Sequence, residues 1–431
     1  MGARTGAGIG AGGVPLLLAW VALLAADRVD LLGTRGFFTL TPFLVLSPLV
    51  IATEWWRRRQ AGVALVVPPH ARRLLLLATL LLACATLSVF ASRDLPRSAA
   101  RLVQLLLMVA GSAGVLLSVR DRPQLPALLA RGARWGLGVG AVVSVVQLLV
   151  LVGVVPAEFP AAAPMVRLAP SAYAGIVPRL SGLVMDPNRT GLLLLLYGWL
   201  VATGDANPAR RARWLLLAGV LLLLTLSRSS LLAAAGMLLV VLWQRRTSPA
   251  LPANGASAPS ALLPLGALAV AVAAAALLWQ PAWWDATAQV GRTVQQRFTV
   301  QEGSAQDHLR LLARGVELGT RTVPEALRGI GYGSAHTALQ DFFPGDKYGN
   351  FHSLYVGAFA EMGVAGTLAV VLLLAGALGP PATRALVVAA GMFGVFYSVL
   401  AEPTFWVVLM AGWYEQARDW QLPRDWQLPR D

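Results

Sequence analysis

About twelve stretches of this 431-residue chain are apolar over close to the ~20 residues that a helix needs to cross a bilayer. A helix that is apolar all round must hide every face, in lipid or in a very large core. Only 13% of the residues are charged, against roughly 25% in a soluble domain, and 57% are hydrophobic. The chain is therefore expected to be an all-α polytopic membrane protein. The spans read as 14–32, 36–54, 73–91, 102–119, 136–155, 190–204, 214–227, 230–244, 261–279, 352–377, 385–400 and 403–415. The apolar run from Val14 shows no clear small-residue cleavage site, so it is taken as the first span and not as a removed leader.

Arginine in short loops orients such a chain, because basic residues stay on the cytoplasmic side. Arg57-Arg58-Arg59 with Arg72-Arg73 mark one such loop. Arg120, Arg122, Arg131 and Arg134 mark the next, and Arg210, Arg211 and Arg213 a third. Arg245-Arg246 and Arg384 complete an alternation that puts both termini in the cytoplasm. The chain then divides into a membrane domain 1–279 holding spans one to nine and an outer loop 156–189, a cap loop 280–351, a second membrane part 352–415, and a cytoplasmic tail 416–431. The cap, about seventy residues long, is expected to fold as a small helical unit, since structureless loops of that length are uncommon.

The two longest outer loops break the charge rule. Arg167, Arg179 and Arg189 lie in one, and Arg292, Arg297, Arg310, Arg314, Arg321 and Arg328 in the other. The net charge of +14 rests almost wholly on arginine, with Lys347 the only lysine. A genome rich in G and C explains the preference for arginine but not its position. Guanidinium groups on the translocated side point to an anionic ligand there, since arginine grips phosphate in a two-pronged fork.

Several side chains carry chemistry. His352 stands where the large loop becomes a membrane helix, and the positive end of a helix dipole keeps an imidazole neutral, as a general base requires. It can equally serve as an interfacial cap. Arg189 follows Asp186-Pro187-Asn188, a turn and N-cap sequence, and reads either as an anion ligand or as an interface anchor. Arg228, in Ser227-Arg228-Ser229-Ser230 between two apolar runs, is costly enough there to argue for function. Arg310 and Arg314 are four apart on a helix-compatible stretch, so they share a ligand or simply form a solvated face. Glu361, nine residues into the span that begins at His352, pairs with a base or a cation or lines a polar cavity. Asp27, Arg28 and Asp30 are read as pairing among themselves, and His308 and His336 as solvated loop residues. No nucleotide-binding loop and no HExxH or CxxC spacing occurs, so neither an ATPase engine nor a metal site is expected.

Read in order, these segments resemble the O-antigen ligase and polymerase superfamily. Arg179-Leu180-Ser181-Gly182 through Asp186-Pro187-Asn188 is similar to its "SG…PN" segment, and Leu226-Ser227-Arg228-Ser229 to its "SR" turn. Arg310 resembles the arginine that opens the large-loop helix, and Gly329-Ile330-Gly331-Tyr332-Gly333 the "GxG" turn. Asn350 to Gly363 resembles the "H-N/S-x-L…E-x-G" segment, with Ser353 where Asn often follows the His. The resemblance covers roughly residues 100–400. It implies a GT-C-like, metal-independent, inverting glycosyltransferase of the bacterial inner membrane, working at the periplasmic face without a cofactor and with no nucleic-acid partner. The implied donor is a glycan on undecaprenyl pyrophosphate and the implied acceptor is the lipid A–core, with membrane lipids around both. His352, Arg228, Arg189 and Arg310 are then the implied catalytic set, and Arg314, Arg297, Asn188, Tyr355 and Glu361 the implied substrate contacts. A polymerase of the same fold, and a lipid-linked oligosaccharide transporter, are the rival readings. A transporter would place its charges near mid-membrane and often show repeated halves.

Overall fold

The computed structural model describes residues 13–27, 29–31, 39–122, 124–151, 154–155, 171–173, 177–184, 186–247, 303–340, 342 and 349–412. Its helices are α1 Val14–Ala22, α2 Pro42–Ala61, α3 Pro69–Val89, α4 Leu95–Val119, α5 Leu125–Leu151, α6 Pro187–Gly204, α7 Pro208–Leu224 and α8 Arg228–Thr247, then the cap helices α9 Gly303–Thr320, α10 Val323–Arg328 and α11 Ala335–Gln340, and finally α12 Leu354–Ala377, α13 Pro381–Val395 and α14 Pro403–Met410. Eleven of the twelve expected spans overlap a helix, and 261–279 lies outside the described residues. Among the described residues, α3, α4, α5 and α12 are long and apolar enough to cross a membrane, and α1, α8 and α13 are shorter apolar helices. The loop 156–189 adds a small antiparallel hairpin, Ser171–Tyr173 with Val177–Arg179, a strand pair that the all-α expectation did not include.

The helix ends differ from the spans read off hydropathy, and the charged residues explain why. Arg57 to Arg59, Arg72-Arg73, Arg131, Arg134, Arg210, Arg211 and Arg213 sit within helices and not in loops. Arginine is a good helix former, and its stem packs along apolar surface while the head reaches polar partners. Four of those heads, Arg57, Arg58, Arg134 and Arg210, form ion pairs, at the α4–α5 connection and at the end of α6 remote from its N-terminus. Glu54 binds Arg57 and Arg122, Arg58 binds Asp121, and Asp205 takes both Arg134 and Arg210. The side chains of Glu54 and Asp205 are fully buried, so these pairs clamp helices together.

The described part of the cap, 303–340, is largely helical, and it shares a small core with the start of the next membrane part: Leu311, Leu318, Ala335, Leu339, Phe351 and Ala360 of α12. It docks on α12 through glycine. A Cβ at Gly315 would lie 2.5 Å from Val356, and one at Gly319 2.6 Å from Phe359. The α12 helix breaks at Gly363, where φ is +67° and ψ −165°. The break leaves carbonyls without their helical donors, and such groups need new partners. Cap N–H groups supply them: Ile330 N donates to Ala360 O at 2.9 Å and Gly331 N to Glu361 O at 3.1 Å. The cap is thereby stitched to a membrane helix.

Gly363 has no room for a side chain. Its Cβ would lie 2.4 Å from the Leu327 carbonyl, in a positive-φ, extended-ψ backbone that is almost confined to glycine and costs any other residue about 1–3 kcal/mol by itself. Gly363→Ala is expected to lower the melting temperature and to expose the 320–350 segment to limited proteolysis. An unchanged proteolysis pattern would mean that the stitch does not hold the cap.

Candidate functional site

The site is assembled at the N-termini of α6 and α8. Asp186 caps α6, its Oδ1 accepting from Asn188 N at 2.8 Å and Arg189 N at 3.2 Å, with Pro187 at the first helical position. The Ser227 turn caps α8 and is latched to α6. Ser227 Oγ donates to Asn188 Oδ1 at 2.8 Å, and Ser230 Oγ to the Asn188 carbonyl at 3.2 Å. Gly191 allows this approach, since a Cβ there would meet Ser230 Oγ at 1.8 Å. Arg179 spans the same junction, donating to Asn188 Oδ1 and the Thr225 carbonyl, each at 3.3 Å. Arg189 and Arg228 thus stand on two adjoining helix N-termini, where backbone dipoles and guanidinium charge add in favour of an anion.

Arg189 is held firmly. Its Nε donates to the Tyr397 hydroxyl at 3.0 Å, its Nη2 pairs with Glu402, and the guanidinium carbon lies 5.8 Å from the centre of the Tyr397 ring. The Tyr397 hydroxyl in turn donates to Asp186 Oδ2 at 2.6 Å. Burial works against charge on Asp186, yet Arg189, Tyr397 and the two capping N–H groups together hold its carboxyl below its ordinary value. Asp27, 7% exposed, also faces the guanidinium. It is one of three acids around this cation; the expected pairing among Asp27, Arg28 and Asp30 turns on Arg28, which lies outside the described residues. Arg189 engages these partners through Nε and Nη2.

His352 joins this cluster through Tyr397, whose ring it meets edge-on at 5.7 Å between centroids. It sits just before α12 and outside the helix. Asn350 Oδ1 accepts from His352 N at 2.8 Å, and Ser353 caps the helix by accepting from Val356 N at 3.3 Å. The residue has φ of +51°. Leu226, directly before the Ser-Arg turn, has φ of +48°, and these two are the non-glycine residues with positive φ among the described residues. Backbone strain of this kind concentrates at functional sites, where the surroundings enforce it. The His308 ring lies 4.5 Å from that of His352, so His308 is packed into the site and is not the solvated residue expected. Burial first, then the neighbouring His308, pushes the His352 pKa down to about 4, and the ring is neutral at physiological pH.

The other expected contacts are distributed differently. Arg310 is 65% exposed beside Asp307 at 3.9 Å. It lies two residues from His308, about 200° around α9, so it faces away while His308 faces His352. Arg314 pairs with Glu317 at 2.6 Å and covers Phe342, and it belongs to a separate cavity in the cap. Tyr355 anchors α12 to α13, its hydroxyl donating to Gly391 O at 2.9 Å. Glu361 does not orient His352. Its Oε1 accepts from Ala335 N at 2.9 Å and so fastens the Gly-rich turn of the cap. Arg297 lies outside the described residues. Tyr397, Glu402 and Asp186 were missed as site residues. Glu402 had a visible signal, an acid before Pro403 between two apolar spans, whereas nothing local distinguishes Tyr397.

Among curated proteins, none matches the chain. Residues 214–371 match the family model Wzy_C, O-Antigen ligase. That span takes in Arg228, the described cap helices, His352 and Glu361, while Arg189, Tyr397 and Glu402 fall outside it. The match supports glycosyltransferase-like ligase or polymerase activity in general, and with the apolar helices it supports a membrane protein. Over residues 214–371, rather more than a third of its length, the chain is similar to the O-antigen ligase family, and this supports the O-antigen ligase superfamily.

Proposed function

We propose that the chain is a metal-independent, GT-C-like glycosyltransferase with twelve spans. It moves a glycan from undecaprenyl pyrophosphate to a sugar hydroxyl of lipid A–core at the periplasmic face of the inner membrane, with both termini cytoplasmic. The observation that carries the reading is a neutral, strained His352 within electrostatic reach of Asp186 and Arg189 at the N-terminus of α6, a helix end latched in turn to the N-terminus of α8 that bears Arg228.

In this reading His352 accepts the proton of the attacking hydroxyl. The hydroxyl oxygen bonds to the anomeric carbon as that carbon's bond to the diphosphate oxygen breaks, which inverts the centre. The departing diphosphate keeps the electron pair, and Arg228, Arg189 and the helix N–H groups receive the developing charge. Preorganised donors of this kind are worth on the order of 3 kcal/mol each in a dry site. Glu402, Asp186 and Tyr397 keep Arg189 in place and touch no substrate. Arg310, facing outward, is assigned to the mouth of the cap and not to the diphosphate.

Reconstitution in proteoliposomes with a lipid-linked glycan and lipid A–core tests the reading. Glycan on lipid A–core is expected, and EDTA should not reduce its rate. Longer lipid-linked chains would identify a polymerase, movement of unaltered glycan across the bilayer a transporter, and a strict need for divalent cations would refute the arginine-based site. The acid limb of the pH–rate profile is a second check. Because His352 is held at about 4, the base stays unprotonated and kcat/KM should be flat from neutrality down to about pH 5, falling below that. His308→Gln removes one cause of the depression, so the limb should move to higher pH. A limb that stays in place would show that His352 is not the titrating base.

A further inference from the structure

A second basic site lies in the cap. The turn between α3 and α4 and the helices α9, α10 and α11 line a partly open cavity of about 280 Å³, just below the size of most small-molecule pockets. Among the described residues, Arg93, Arg314, Arg321 and Arg328 line it against one acid, Glu325, with Arg314 the half-buried member and the other three arginines exposed at its rim. The four arginines come from separate places: before α4, on α9, after α9 and at the end of α10. Two are partly neutralised, Arg321 by Glu325 at 2.5 Å and Arg314 by Glu317 at 2.6 Å. Arg328 has no ion pair among the described residues, and Arg93 only faces Glu325 at longer range. Folding has therefore gathered like charges in a concavity.

Two further observations separate this from a solvated face. The wall is rigid, since the Gly-rich turn is stitched to α12 and Ser334 Oγ is hydrogen-bonded to Ser92 Oγ at 2.8 Å. Arg314 Nε is buried and makes no hydrogen bond among the described residues. A buried donor left unmade is costly, and an anion entering the cavity would satisfy it.

We infer that this cavity binds a phosphomonoester carried on a saccharide. A dianion with three acceptor oxygens suits guanidinium forks, and the volume exceeds what a bare phosphate fills. Arg314 follows His308 by six residues on α9, about 9 Å along the helix axis. A sugar chain whose phosphate rests in the cavity can thus extend toward His352. The binding itself stands whether or not His352 is the base; only the direction of the chain rests on the glycan-transfer reading.

Isothermal titration of the full chain in detergent tests it, with three probes: a short oligosaccharide carrying one phosphomonoester, the same oligosaccharide without it, and inorganic phosphate. The phosphorylated oligosaccharide is expected to bind the wild type and His352→Ala alike, and at least about tenfold more weakly to Arg93→Ala and to Arg328→Ala. Arg328→Lys, which keeps the charge but loses the fork, should be intermediate. Melting temperatures show that each variant folds. Equal binding of the neutral oligosaccharide overturns the phosphate, and equal binding of inorganic phosphate overturns the saccharide. Competition by vesicles of phosphatidylglycerol but not of phosphatidylcholine overturns the saccharide in favour of a lipid headgroup. Loss of transfer by His352→Ala with binding intact keeps the two readings separable.

Discussion

His352→Asn abolishes glycan transfer in proteoliposomes while the protein folds and still binds its lipid-linked donor. Asparagine is the informative replacement because it tolerates the left-handed backbone that His352 adopts at φ +51°. Alanine removes the same imidazole but adds strain, so the two variants together separate chemistry from folding. A positioned general base contributes about 10²–10⁴-fold to the rate, and a loss of that size in kcat, with little change in donor affinity, is the expected signature. Transfer at the wild-type rate by a folded His352→Asn protein would remove the imidazole from the reaction. His308 stacks on the same ring without taking the proton in this scheme, so His308→Gln should lose far less rate than His352→Asn.

Arg189→Ala produces the largest loss of stability and loses transfer as well. The guanidinium faces Glu402, Asp186 and Asp27, and the Glu402 side chain is only 3% exposed. Removing one partner of a buried pair costs about 3–5 kcal/mol, because the carboxylate stays behind without a counter-charge. The double variant Arg189→Ala/Glu402→Ala should recover much of that stability and none of the transfer. Thermal unfolding and the transfer assay read the two effects separately. Recovery of transfer in the double variant would show that Arg189 is only a counter-ion for Glu402 and receives no charge from the leaving group.

The two variants also divide what was legible from what was not. His352, Arg189 and Arg228 could be chosen from sequence because their signals are local: an imidazole at a loop-to-helix junction, an arginine after an Asp-Pro-Asn turn, an arginine between apolar runs. Their meeting is not local. Tyr397 is 208 residues from Arg189 in the chain, and its phenol is one aromatic ring among many until the segment after α13 brings it between Asp186 and His352. Arg310 failed for the opposite reason. Its spacing to Arg314 was read correctly as helical, but a helix has several faces, and packing of Gly315 and Gly319 on α12 turned His308 inward and Arg310 out. Glu361 was recognised as too deep to be idle, and its partner proved to be the Gly-rich turn of the cap.

The sequence by itself determined that this chain builds apolar helices, that its arginines crowd two loops between them, and that a histidine opens the helix after the larger loop. Hydropathy, charge and helix-capping signals act over one or two turns of chain, so they can be read along it. Only the tertiary structure decided which arginine faces the histidine, which carboxylates hold that arginine, and that a second cluster of guanidinium groups lines a cavity in the cap. Those outcomes depend on which glycine lets which helix approach. They are set by shape and burial between residues far apart in the chain, where no local pattern records them.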